Sequence, residues 1–90
     1  MIQIELPGVL QELADHQGIV EVEGKTVQQA LDDLGQRHPM VLTRILTRGG
    51  RLRPHVNLFL GGRDIRQGDG LETPVADGDE LLVVPSVAGG

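Results

Sequence analysis

One capped amphipathic helix in the first half of this 90-residue chain restricts the possible folds most strongly. Thr26 is a favourable N-cap, and Gln29 stands three residues later, where a capping box places a glutamine. Pro39 closes the helical pattern near His38 and can open a second short helix. A helix with one apolar stripe has to pack on another layer, so the sequence predicts a sheet beneath it. The stripe is formed by Val27, Ala30, Leu31 and Leu34.

Segments with strand-like patterns stand on both sides of this helix. They comprise residues 2–6, 19–23, 55–60, 63–66 and 80–84. Gly61-Gly62 is a two-residue hairpin signal, and Asp77-Gly78-Asp79 is a tight turn before the last strand. Two hairpins around one main helix, with a short second helix, describe an α+β fold of the β-grasp, or ubiquitin-like, type. We expect a mixed sheet of four to five strands, with the first and last strands side by side and parallel.

Composition and charge exclude several functional classes. The chain has no cysteine, which excludes disulfides, iron–sulfur ligation, thiolate zinc sites and a cysteine nucleophile. A net charge of -5 and a single aromatic residue, Phe59, argue against a nucleic-acid partner. No apolar run resembles a signal peptide or approaches the length of a membrane span. We therefore expect one cytoplasmic domain over residues 1–90, with no membrane partner.

The polar clusters of the chain predict neither a catalytic residue nor a metal site. Asp77 and Asp79 flank a glycine, which is the pattern of turn residues. The arginine-rich segment 48–54 lacks the lysine and following helix of a phosphate-binding loop, so it is interpreted as a solvated loop. Thr26 has no nearby base in the sequence and is interpreted as a helix cap. The histidines are scattered over separate segments without ligand spacing, at His16, His38 and His55.

Strand alternation predicts an apolar patch on the outer face of the sheet. If Leu81 and Val83 point into the core, Leu82 and Val84 point away from it. Phe59 alternates in the same way with its apolar neighbours on the preceding strand. An exposed apolar patch usually marks a partner surface, so these residues are the candidate partner-binding face. Cover of Phe59 by the short helix or by a loop is the alternative.

The chain ends in Val87-Ala88-Gly89-Gly90, directly after the last predicted strand. Glycine has no Cβ, so a Gly-Gly end is thin enough to thread a narrow channel. The Gly90 carboxylate is unhindered and is the one group of the sequence that another enzyme could activate. We expect residues 85–90 to form a flexible tail, with Val87, Ala88 and Gly89 giving access to Gly90. Nothing follows Gly90 in this sequence, so we expect a tail that needs no proteolytic maturation.

The residues of this ending resemble the C-terminal signature of the MoaD/ThiS sulfur-carrier family. The matching stretches are Leu71, residues 75–81 and Pro85-Ser86-Val87-Ala88-Gly89-Gly90, and residues 26–31 resemble the start of the family's helix. Residues 53–60, with the Asp-Gly-Asp turn and this ending, look most similar to the carriers for cysteine synthesis in actinobacteria. Ser86 stands where the molybdopterin-synthase small subunit usually has a second proline.

The resemblance implies a carrier protein rather than an enzyme, with no bound cofactor. An E1-like adenylyltransferase and sulfurtransferase would use ATP to adenylate Gly90, and sulfide or a persulfide would then give a thiocarboxylate. In the cysteine-synthesis type, that sulfur would attack an aminoacrylate on a pyridoxal-phosphate (PLP)-dependent cysteine synthase. A metalloprotease would then release the new cysteine. Thiamine- and molybdopterin-type pathways use carriers of the same kind.

Three other functions are open at this stage. The first is a ubiquitin-like modifier conjugated through Gly90 to a target lysine, with the same activation step. The second is the small subunit of molybdopterin synthase, whose tail inserts into a large catalytic subunit. The third is a plain β-grasp interaction module with an incidental Gly-Gly end.

Overall fold

A computed structural model describes residues 1–85 of the chain and shows a helix-on-sheet architecture. In chain order, the helices and strands of these residues are β1 (Ile2–Glu5), α1 (Gly8–Gln11), β2 (Ile19–Val22), α2 (Val27–Arg37), α3 (Pro39–Ile45), β3 (Val56–Leu60), β4 (Arg63–Asp64) and β5 (Glu80–Pro85). Short 3-10 helices follow α1 at Glu12–Ala14 and lie between β4 and β5 at Ile65–Gln67 and Gly70–Glu72. The predicted α+β class and the main helix with its short successor are confirmed.

Within residues 1–85 the strands form one mixed sheet in the order β2-β1-β5-β3-β4. β1 and β5 are parallel neighbours, with Ile4 opposite Leu81. The other neighbours are antiparallel, and β3 opposes β5 with Leu58 facing Val83. After the outer hairpin β1–β2, the chain crosses the sheet through α2. It then forms β3 and β4 before it returns to the centre of the sheet as β5. This is the predicted β-grasp topology.

The predicted capping box forms at the start of α2, but the Gln29 side chain bonds to the backbone of Lys25 instead of to that of the N-cap residue Thr26. The Thr26 hydroxyl accepts from the backbone N–H of Gln29 at 3.2 Å. The Gln29 side chain reaches back and accepts from the N–H of Lys25 at 2.9 Å, one residue before the N-cap. Two backbone donors near the start of the helix are thereby satisfied. The cap fixes where α2 begins and therefore which side chains face the sheet.

The core lies between the apolar stripe of α2 and the inward-facing residues of the strands. All four residues of the predicted stripe are buried. The strands supply alternate residues, so β2 buries Val20 and Val22 while its other side chains are exposed. Burial of apolar surface of this kind contributes roughly 25 cal/mol per Å². The largest fully buried side chains are Ile2, Ile4, Leu31, Leu34, Ile45, Leu58, Leu81, Val22, Val27, Val41 and Val83.

Residues 7–18, which lie between the first two strands and contain several polar side chains, form regular structure for which the sequence analysis gave no prediction. They contain α1 and the 3-10 helix behind it, which bury Leu10 and Ala14. The Gln11 side-chain amide donates to the carbonyl of Leu6 at 3.0 Å and holds this turn against the end of β1. The two apolar residues stand four positions apart, which is a helical spacing but too short a pattern to identify a helix.

The hairpin at Gly61-Gly62 is confirmed, but its return strand is shorter than predicted. Both glycines have positive φ, 58° and 84°, as a tight two-residue hairpin turn requires. The return strand was expected over residues 63–66 and ends at Asp64. The Asp64 carboxylate accepts from the N–H of Arg66 at 2.9 Å and so caps a 3-10 helix, which stops the ladder. In the centre of the sheet, β5 runs one residue further than expected, so Pro85 belongs to the strand and not to the expected tail.

One hydrogen bond and one close backbone approach join the end of β2 to α2. The Asp33 carboxylate accepts from the N–H of Glu23 at 2.8 Å and lies 3.3 Å from the Arg37 guanidinium. The hydrogen bond from Glu23 and the neighbouring Arg37 lower the pKa of Asp33. Gly24 then brings the chain against the first turn of α2. Over residues 1–85, no helix is long and apolar enough to cross a membrane.

Replacing Gly24 by alanine is expected to destabilise the fold by about 1–3 kcal/mol, the usual range for overpacking. A Cβ there would lie 2.6 Å from the backbone nitrogen of Ala30 and 2.9 Å from the carbonyl carbon of Gln29, so the helix would have to move. Urea denaturation gives the free energy of unfolding. Gly8→Ala is the control, because its Cβ meets nothing within 4 Å and should change stability by no more than about 0.5 kcal/mol. Equal stability of the two variants would contradict the packing argument.

Candidate functional site

The central strand β5 brings the chain to the middle of one end of the sheet. β1 pairs with β5 only as far as Leu82, whereas β3 pairs with it as far as Pro85. The last part of β5 is therefore paired on one side. Pro85 has no N–H to donate, and neither has Pro54, which stands two residues before the start of β3. The β3–β5 ladder is thus flanked by two prolines, one at the end of β5 and one just before β3, near the point where the described chain ends.

The residues predicted to carry the chemistry lie outside the described part of the chain. These are the activation site Gly90 and the access residues Val87, Ala88 and Gly89. Their roles stay predictions. The structure places the base from which this segment continues, at Pro85 in the centre of the sheet.

The structure brings the three residues of the predicted partner-binding face together. Phe59 and Leu82 are direct cross-strand partners, and Val84 is the next outward residue of β5. Leu82 is 38% exposed, and Phe59 and Val84 are half-buried. All three line one shallow concavity on the outer face of the sheet. We call this set the apolar patch. Phe59 is therefore not covered by α3 or by a loop, and the role of the patch in binding stays a prediction.

The concavity is bordered by side chains that the sequence analysis did not single out. Glu5 of β1 and Glu80 of β5 line it together with the apolar patch. Glu5 stands opposite Leu82 in the parallel β1–β5 ladder. Only the register between strands that are far apart in sequence places these carboxylates beside the patch. The one local signal was the alternation of Gln3 and Glu5 with buried residues of β1.

The arginine-rich loop before β3 is held by its own hydrogen bonds. The Arg53 guanidinium donates to the carbonyl of Thr43 at 2.9 Å, and the Arg53 carbonyl accepts from Arg66 at 2.8 Å. The Thr47 hydroxyl accepts from the N–H of Arg51 at 3.2 Å. Arg48 and Arg51 are exposed. These contacts give Arg53 a role in fixing the loop, in line with the interpretation of a solvated loop.

The acidic residues before β5 shape a turn, as the sequence predicted. The Asp79 carboxylate accepts from the N–H of Ala76 at 2.8 Å, and Gly78 has a φ of 92°. The Asp77 carboxylate accepts from the amino group of Met1. The turn thus ties the start of β5 to the start of β1, its parallel neighbour.

The three histidines lie apart from one another. His16 follows the C-cap of the 3-10 helix after α1 with a φ of 64°, His38 joins α2 to α3, and His55 precedes β3. Across residues 1–85, no three His, Asp or Glu side chains come together as metal ligands would.

Comparison with known protein families gives a match over nearly the whole chain. The ThiS family model matches residues 4–90. A protein of Archaeoglobus fulgidus that is named as a candidate sulfur carrier is 40% identical over 91 residues, which cover 99% of this chain and 98% of that protein.

Solved structures share both the fold and the sequence. A chain in the crystal structure of the Amycolatopsis orientalis BexX/CysO complex is 33% identical, with a TM-score of 0.92 and full coverage of both chains. Small archaeal modifier protein 1 of Haloferax volcanii is 34% identical, with a TM-score of 0.78, over 99% of this chain and 98% of that one. The fold and the spacing of its elements are therefore common to carriers and modifiers.

Two adjacent leucines of β5 provide a test of the face assignment. Leu81→Ala should cost about 2–5 kcal/mol, because Leu81 is fully buried in the core. Leu82→Ala should cost less than about 1 kcal/mol, because Leu82 lies in the apolar patch on the outer face. Urea denaturation of both variants measures the difference, and each variant is the control for the other. A larger cost for Leu82→Ala would overturn the assignment of the two faces.

Proposed function

Because this chain belongs to the ThiS family, we propose that it is a sulfur carrier that is activated at the carboxylate of Gly90. The observation that carries the proposal is the family match, which extends through the Gly-Gly ending to residue 90. The position of β5 supports it, since the strand leads to this ending from the centre of the sheet. The chain has no cysteine, so any sulfur that it carries has to be bound to a group other than a thiol side chain.

The proposed chemistry begins with a partner enzyme and ATP. A carboxylate is a poor electrophile, so an E1-like enzyme transfers AMP to the Gly90 carboxylate and releases pyrophosphate. Sulfide then attacks the carbonyl carbon of the mixed anhydride, and AMP leaves with the bridging oxygen. With a persulfide donor, the same attack gives an acyl disulfide, which a thiol of the donor enzyme cleaves to the thiocarboxylate as a disulfide forms on that enzyme. The product is a C-terminal thiocarboxylate with a nucleophilic sulfur. The carrier itself is a substrate and supplies no catalytic residue.

The glycines of the ending suit this chemistry for a steric reason. A side chain at position 90 would stand beside the carbonyl carbon that the sulfur has to attack. A side chain at position 89 would widen the segment that must enter the adenylating site. We therefore assign the chemistry to Gly90 and its access to Gly89, Ala88 and Val87.

We further propose that the adenylating partner docks on the apolar patch. Phe59, Leu82 and Val84 form exposed or half-buried apolar surface on one face. Val84 directly precedes Pro85, so the patch adjoins the base of the segment to be activated. Contiguous apolar surface of this kind is typical of partner-binding sites.

For the acceptor of the sulfur, we propose cysteine synthesis. The support is the ending Pro85-Ser86-Val87-Ala88-Gly89-Gly90 and residues 53–60, which resemble the carriers of that pathway. The acceptor is then an aminoacrylate held by a PLP-dependent synthase, to whose β-carbon the thiocarboxylate sulfur adds. The small-subunit role in molybdopterin synthase stays a prediction from the same resemblance.

Conjugation to proteins is the second candidate function. It is favoured by the similarity to small archaeal modifier protein 1. The same adenylated glycine would then be attacked by a lysine amine of a target, which forms an isopeptide bond and releases AMP.

Gly90→Ala is expected to fold as the original chain does but to be adenylated poorly, because the added methyl group crowds the activated carbonyl. Pyrophosphate release with the E1-like enzyme of the same organism measures the effect, and we expect at least a ~10-fold slower rate, or about 1.4 kcal/mol of barrier. Gly49→Ala is the matched control, since its Cβ would approach only the Thr47 hydroxyl, at 3.8 Å. An unchanged rate for Gly90→Ala would sink the assignment of Gly90.

Intact-mass analysis of the protein from its native cells should separate the two candidates. A carrier is expected to show the mass gain of sulfur replacing one oxygen at the C-terminus, and the gain should grow when cells are fed sulfide. A modifier is expected to leave residues 67–90 linked to target lysines after trypsin digestion, because no Lys or Arg follows Arg66. A native pool with neither species, even with added sulfide, would contradict both.

A further inference from the structure

The outer face of the sheet carries a charged region beside the apolar patch. Gln3 of β1 stands between Glu21 of β2 and Glu80 of β5, each of which is its direct cross-strand partner. Glu5, two residues further along β1, projects on the same face. All three glutamates are exposed. We call Glu5, Glu21 and Glu80 the acidic band, which spans three neighbouring strands.

The charges of the acidic band are not neutralised within the described chain. The ion pairs of residues 1–85 join the Met1 amino group to Glu23 and Asp77, and Arg37 to Asp33. None of them involves a member of the band. Strands lie ~4.8 Å apart, so Glu21 and Glu80 are separated at the backbone by roughly 10 Å, about one Debye length at physiological salt. Their potentials therefore add over this part of the face.

The acidic band and the apolar patch form one continuous surface. Glu5 is the direct partner of Leu82, and Glu80 is the outward residue that precedes Leu82 on β5. On the opposite side of the patch lies Arg66, whose guanidinium donates to the Asn57 side chain at 2.8 Å and to the Arg53 carbonyl at 2.8 Å. Asn57 is the cross-strand partner of Val84. The face is thus negative on the β1–β2 side of the patch, whereas the β3–β4 side carries the Arg66 cation together with Asp64, the cross-strand partner of Phe59.

We propose that this face selects a partner protein whose docking surface presents an apolar projection flanked by at least two Arg or Lys side chains. The inference rests on the proposed function, because we take this partner to be the adenylating enzyme. The apolar projection would fill the concavity at Phe59 and Leu82, and the basic side chains would face the acidic band.

A second copy of this chain fits the face less well. Each copy has a net charge of -5, so two copies repel each other at long range. The cation on this face, Arg66, already donates to Asn57 and Arg53. A basic partner, in contrast, would gain both attraction at a distance and compensation of three carboxylates on contact.

The acidic band is expected to affect the association rate of the complex more than its affinity. Complementary charges raise association rates by 10–10³-fold or so, and the effect falls steeply with ionic strength. Exposed ion pairs add little to affinity, roughly 0–1 kcal/mol each. The acidic band should therefore determine the association rate of the partner, while the apolar patch determines its dissociation rate.

The test is the association of charge-reversal variants with the E1-like enzyme of the same organism, measured by stopped-flow fluorescence without ATP. Glu21→Lys/Glu80→Lys should associate at least ~10-fold more slowly than the original chain at low salt, with a smaller change in the dissociation rate. The difference should shrink at high salt. The matched control is Glu12→Lys/Glu72→Lys, which changes the net charge equally on exposed residues away from the sheet face and should keep most of the original rate.

The outcomes separate this inference from the proposed function. Equal slowing by both double variants would overturn the inference, because net charge alone would then explain the rates. Sedimentation that shows dimers of the original chain, lost in Glu21→Lys/Glu80→Lys, would overturn it in favour of a second copy. Pyrophosphate release with saturating enzyme tests the proposed function independently. If the original chain is adenylated but the acidic band has no effect on association, only the inference fails.

Discussion

The parallel pairing of β1 with β5 is the constraint on which the rest of this structure depends. Parallel neighbours cannot be joined by a tight turn, so the chain has to leave the sheet, cross it as α2 and return. That crossing supplies the second layer of the core. It also places β5 in the middle of the sheet, so that Pro85 stands at the centre of one end. The turn at Asp77 and Asp79 reinforces the pairing by holding the starts of both strands together.

The alternation of side chains along β5 divides the sheet into a buried face and an open face. Leu81 and Val83 face α2 and are buried, whereas Leu82 and Val84 contribute to the open face. Since no helix of the described chain packs on that outer face, its residues are free to vary without opening the core. Charge and apolar surface can therefore be placed there at little cost in stability. The separation accounts for a fold that this chain shares with two solved structures, each identical to it at about a third of the positions.

Local patterns in the sequence were sufficient for the helix, the main strands and the apolar patch. Thr26 with Gln29 marks a helix start, and period-two alternation assigns Phe59 and Leu82 to a face without any tertiary information. The pairing register between strands that are distant in sequence could not be predicted from local patterns. Glu21 and Glu80 both pair with Gln3, and no local pattern indicates that they share this partner. Competing side-chain hydrogen bonds were also missed: the Asp64 carboxylate turns a predicted strand into a 3-10 helix. The segment at Leu10 and Ala14 was missed because its apolar residues at helical spacing, which include Val9 and Leu13, extend over too few turns to identify a helix.

A carrier that supplies no catalytic group of its own, as we propose for this chain, has to be specific through docking. In the proposed cycle, the same carrier meets an adenylating enzyme first and a sulfur-accepting enzyme later, so each complex has to dissociate before the next can form. A small apolar patch suits this need, since modest interfaces are typical of transient encounters. The adjacent acidic band raises the association rate. The complex can then form quickly even though it also dissociates quickly. If both enzymes dock on this face, both need basic side chains beside their apolar projection. The order of the two encounters then has to be set by the chemical state of Gly90, because both enzymes recognise the same surface.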